Sequence, residues 1–64
     1  MHNLKLKMAR MEQDPPLPAW KLAQKIGITP QRLSMFETGR AVPSATLKHR
    51  IAKALGRTVE ELFG

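Results

Sequence analysis

The chain has no cysteine and no tyrosine, and its 64 residues include two phenylalanines, one tryptophan and two histidines. Without cysteine there is no disulfide framework. His2 and His49 lie far apart in the sequence with no companion ligands, so no zinc site is expected, and no cofactor. No apolar run approaches the roughly 20 residues that a membrane span needs. The basic start MHNLKLK leads into no apolar signal core, so a cytoplasmic protein is expected. A chain of this length makes one domain, residues 1–64, and buries only about 60% of the surface it exposes when unfolded. Packing alone must hold it, with a net stability of a few kcal/mol up to about 10.

Acidic residues are also scarce. Five Asp and Glu stand against eleven Lys and Arg, a formal charge of +6. From Pro15 to Val59 the basic residues Lys21, Lys25, Arg32, Arg40, Lys48, Arg50, Lys53 and Arg57 face Glu37 alone. Such a field favours a polyanion, and DNA is the obvious one for a small helical domain. Charge by itself leaves a merely soluble basic surface equally open.

The patterning is helical throughout. Residues 3–13 hold good helix formers and neither Gly nor Pro, which predicts a first helix. Leu6, Ala9 and Gln13 share one stripe, bordered by Arg10, while Leu4, Met8 and Met11 form a second apolar row. One row belongs to the core, and the other is exposed or meets a partner. Asp14-Pro15-Pro16-Leu17-Pro18 then breaks the helix, because proline lacks a donor and restricts the residue before it. A second helix carries Leu22, Ala23 and Ile26 on one face, and a third carries Leu33 and Phe36. Gly27 suits a left-handed helix stop, and Thr29-Pro30 reads as an N-cap followed by proline at the first helical position. Ala23 is small enough for two helices to cross closely over that tight turn. After Gly39, Ser44 caps a fourth helix to Leu55, and Thr58 with Glu61 forms a capping box for a short fifth. The expected fold is all-α, a compact bundle of five short helices with helices two and three as a helix-turn-helix.

The spacing of Leu22, Ala23, Ile26, Gly27, Ile28, Leu33 and Phe36, followed by Phe36-Glu37-Thr38-Gly39-Arg40, resembles the phage repressor and Cro-like (lambda-repressor-like) helix-turn-helix regulators. Arg10, Leu55-Gly56 and Glu61-Leu62-Phe63 fit as well, so the resemblance covers nearly the whole chain. It implies that Glu37 pairs with Arg10, which would explain a negative charge in the last turn of a helix, where it opposes the dipole. It also implies phosphate contacts from the backbone around Thr38, Gly39 and Arg40, and dimeric binding to a palindromic site. The family's usual Gln at the position of Ala19 is missing, so that backbone contact does not carry over.

On the third helix, with Leu33 and Phe36 inward, Gln31, Met35 and Thr38 face outward with Ser34 and Arg32 on the shoulders. Gln can bond adenine twice, Arg guanine or phosphate, Ser several base edges, and Met can pack on a thymine methyl. The expected base readers are therefore Gln31, Arg32, Ser34 and Met35, and the backbone contacts are Thr29, Lys21, Thr38, Gly39 and Arg40. For Met35, a neutral surface residue is the plain alternative. Trp20 is expected to pack on Pro15-Pro16 and close the core, with a partner surface as the other reading. Val59 and Phe63 are expected to finish the core, with a two-fold interface compatible with that.

The expected function is a sequence-specific regulator that binds double-stranded DNA, as a homodimer and without catalysis. The alternative is an interaction protein, such as the antitoxin of a toxin–antitoxin pair, whose partner covers Trp20, the proline segment or the outer row of the first helix. Ser34, Ser44, His49 and the terminal acids show no nucleophile–base spacing, which speaks against an enzyme. A membrane-surface role for the first helix is weak, since Arg10 and Glu12 interrupt its apolar rows.

Overall fold

Prolines and glycines decide where the helices start and stop. The computed structural model describes residues 4–64. Among these it contains α1 (Leu4–Met11), α2 (Ala19–Ile26), α3 (Pro30–Glu37), α4 (Ala45–Leu55) and α5 (Val59–Phe63), and no strand. The first helix ends at Met11 and not at Gln13 as the composition suggests. Asp14 precedes Pro15 and is steered away from helical backbone. Gln13, one residue earlier, turns its amide to donate to the carbonyls of Ala9 at 3.3 Å and Leu55 at 3.0 Å. The expected start at Asn3 lies outside the described residues.

α2 and α3 close with the same pair of bonds. After α2, the N–H of Ile28 donates to the Ala23 carbonyl at 3.0 Å and that of Gly27 to Gln24 at 3.3 Å. After α3, Arg40 donates to Met35 at 2.9 Å and Gly39 to Phe36 at 3.4 Å. Both patterns require a left-handed residue at the glycine, and Gly27 and Gly39 have φ of 80° and 77°. Thr29 and Ser44 cap α3 and α4 by accepting from the N–H groups of Arg32 and Leu47. The capping box of α5 is complete, with Glu61 N–H donating to Thr58 Oγ1 at 3.0 Å and Thr58 N–H to Glu61 Oε1 at 2.9 Å.

Each helix sends one branched aliphatic side chain to the centre: Leu6, Leu22, Leu33, Ile51 and Leu62 are fully buried. Ala9, Ala23, Ile26, Phe36, Ala52 and Leu55 complete the core. Ala23 is wholly buried, as a close α2–α3 crossing demands, and α2 packs on both α3 and α4. Removing a central leucine by substitution to Ala would cost about 2–5 kcal/mol, a large part of what so small a core supplies.

One packing expectation fails. Trp20 does not close the core: it is 59% exposed. The inner places beside the proline segment are taken by Leu17 and Ala19, which pack against the core, and Leu17 is tied down by its backbone. The outer row of α1 is bare as well, with Leu4, Met8 and Met11 at 62%, 58% and 55%. Val59 and Phe63 are half-buried against the core, as expected.

Candidate nucleic-acid interface

Because Leu33 and Phe36 are buried, the other side of α3 faces outward. Gln31, Ser34, Met35, Thr38 and Arg40 line one open depression there. Three of the four expected base readers and two of the expected backbone contacts, Thr38 and Arg40, thus share a surface. Arg32 stands apart, with its guanidinium over the ring of Phe36 at 5.8 Å from the centroid. That stacking was missed, although a spacing of four residues on one helix permits it.

The edges of this surface differ in what they can donate. Thr29 Oγ1 accepts from the Arg32 N–H at 3.2 Å, which leaves the hydroxyl hydrogen free to donate outward. Thr38 does the reverse: its hydroxyl donates to the Ser34 carbonyl at 2.9 Å and keeps no hydrogen for a phosphate. The N–H groups of Thr38, Gly39 and Arg40 are all engaged in ending α3. At this corner, then, only the exposed Arg40 side chain is equipped for an anion, a narrower role than the resemblance implies for the loop backbone.

At the start of α2, Pro18 offers no capping side chain. Its carbonyl takes the N–H of Lys21 and of Leu22, both at 3.1 Å, and the N–H groups of Ala19 and Trp20 remain open beside the exposed Lys21. Open N–H groups at the positive end of a helix dipole attract anions.

α3 is clamped from behind. Arg10 Nε donates to Glu37 Oε2 at 2.9 Å and its NH2 group to Oε1 at 3.2 Å, a bidentate pair with side chains only 13% and 11% exposed. The NH1 group donates to the Leu17 carbonyl at 3.0 Å, and the Leu17 N–H donates back to the Arg10 carbonyl at 3.1 Å. One guanidinium therefore ties α1, α3 and the proline segment together. The pairing was expected, but the Leu17 contact was missed, because backbone acceptors leave no mark on side-chain patterning. Lys48 over the Phe63 ring, 5.6 Å from its centroid, was missed as well. It joins α4 to α5 across a distance in sequence that helical spacing does not reach.

Residues 21–62 match a helix-turn-helix family. The chain belongs to that family. The matched span includes α3, both ends of its turn and the whole of α4, whereas Arg10 and the proline segment lie before it. The Cro/C1-type resemblance read from the motif residues holds. A relative from Methanothermobacter thermautotrophicus, described as an uncharacterized HTH-type transcriptional regulator, is 48% identical over 44 residues, or 67% of this chain and 64% of its own length. The chain thus spans a little under two thirds of that relative. No helix among the described residues is long and apolar enough to cross a membrane.

Proposed function

We propose that this helix-turn-helix protein is a sequence-specific transcriptional regulator that lays α3 in the major groove of double-stranded DNA. The observation that carries the proposal is the depression formed by Gln31, Ser34, Met35, Thr38 and Arg40 on a helix whose other side is buried. These side chains combine amide, hydroxyl, apolar and cationic groups, as base-edge readout requires. Gln31, Ser34 and Met35 read bases, and Arg32 on the shoulder reaches a base or a phosphate by leaving its ring. Lys21, Thr29, Arg40 and the open N–H groups of Ala19 and Trp20 take the backbone. Residues 1–64 act as one binding domain, and a homodimer on a palindromic operator places two copies of α3 in successive grooves.

Phosphate neutralisation dominates the energetics, so affinity falls steeply with salt. The test is footprinting on the DNA upstream of the protein's own gene, followed by a salt titration on the protected site. Affinity that barely changes between low and moderate salt contradicts the proposal.

The bare Trp20 and the outer row of α1 favour a second role beside DNA binding, that of an antitoxin whose toxin covers those side chains. Co-purification of a small polypeptide encoded next to the gene supports that role. Its consistent absence from the native complex rules it out.

A further inference from the structure

Only part of the surplus positive charge lies beside α3. Lys25, Arg50 and Lys53 converge instead on a second depression of about 570 Å³, between the C-terminal end of α2 and the outer side of α4. It shares no lining residue with the depression on α3. All three cations are exposed, and the described ion pairs, Arg10–Glu37 and Arg57–Glu12, involve none of them. Helix dipoles account for Lys25 and Lys53, each in the last turn of its helix. They do not account for Arg50, one turn earlier, or for three like charges meeting around one hollow. Gln24 adds an amide, while Gly27 and the half-buried Ala54 form the floor above the buried Ile26. The hollow is broad and open to solvent.

We propose that this hollow binds a small organic anion, an apolar or aromatic body carrying one phosphate, sulfonate or carboxylate group. The cations hold the charged group and the floor of Gly27 and Ala54 takes the body. A DNA backbone would use the cations and leave the floor unfilled. Gly27 belongs to the turn between α2 and α3, so the occupant touches the helix-turn-helix at residues that do not line the depression on α3. The site stands whether or not α3 reads DNA.

The experiment titrates the full chain with naphthyl phosphate and follows backbone amides by NMR, with inorganic phosphate and naphthol as the charge-only and body-only controls. Saturable shifts confined to residues 24–27 and 50–54 are expected, with affinity about tenfold or more above inorganic phosphate and no saturation by naphthol. The Arg50→Gln/Lys53→Gln variant removes exposed charges only, so it keeps its melting temperature and loses about tenfold in probe affinity. Shifts spread evenly over Lys21 and Arg40 as well, or an unchanged affinity in the variant, overturn the proposal. So does displacement of the probe by duplex DNA together with a DNA salt dependence that falls by about two charges in the variant, because the cations would then belong to the DNA footprint.

Discussion

At the scale of single residues, Arg10 and Glu37 hold the most. Glu37→Ala leaves a nearly buried guanidinium with only the Leu17 carbonyl, since both carboxylate bonds vanish together. An unpaired buried charge of this kind costs about 2 kcal/mol, which in so small a domain lowers the melting temperature on the order of 10 °C. DNA affinity should fall with it, because α3 loses its clamp to α1; a melting curve identical to wild type refutes that role. Gln31 and Arg40 separate by a different measurement. Gln31→Ala should cost about 1–3 kcal/mol on the preferred site while leaving the salt dependence alone. Arg40→Ala should weaken all sequences alike and lower the salt slope by about one. If the two variants behave the same way in binding titrations on matched and mismatched sites, the division into base and backbone contacts is wrong.

At the scale of elements, the helix ends were the most legible part of the fold. Thr29-Pro30, Ser44, Thr58 with Glu61, and the glycines after α2 and α3 each announce a boundary through chemistry confined to a few neighbouring residues. The inward residues of α2 and α3 were legible for the same reason, as was the outward face of α3, which follows once the inward one is fixed. Where α1 ends was not legible, because Gln13 leaves the helix for the Leu55 carbonyl, an acceptor 42 residues away. Trp20 was misread because the space for it depends on how Leu17 and Ala19 sit, and pattern on one helix says nothing of its neighbours. The capping box yields a prediction at this scale. The backbone N–H of Thr58, then its hydroxyl, hold the Glu61 carboxyl below its usual value of 4.5, with Arg57 adding to the effect. A folded-state pKa lowered in this way adds stability above the unfolded value, and that stability drains away as pH falls through the folded one. Glu61→Gln keeps an acceptor for Thr58 and cannot ionise. Its melting temperature should therefore fall less than that of wild type as pH drops below about 4.5. Parallel acid profiles for the two proteins would show that the carboxylate contributes nothing.

At the scale of the whole molecule, the apolar side chains on α1 and α5 bear on assembly. Arg32 on α3 and Arg40 just after it are exposed, while Leu4, Met8 and Met11 are bare on α1 and Val59 and Phe63 are half-covered on α5. α1 and α5 pack on each other, so these apolar groups belong to neighbouring elements. A two-fold dimer that used the α5 edge would cover Phe63 and leave both copies of α3 open, as a palindromic operator requires. Phe63 already lends its ring to Lys48, so charge placed there disturbs one intramolecular contact and the proposed interface. The dimer proposal predicts a melting temperature that rises with protein concentration, because assembly stabilises the folded state by mass action. Phe63→Glu should abolish that rise and bring the sedimentation coefficient to the monomer value, while Leu4→Glu, on the outer row of α1, should leave both unchanged. A concentration-independent melt in the wild-type protein would mean that it folds alone, and two-fold binding would then have to form on the DNA itself.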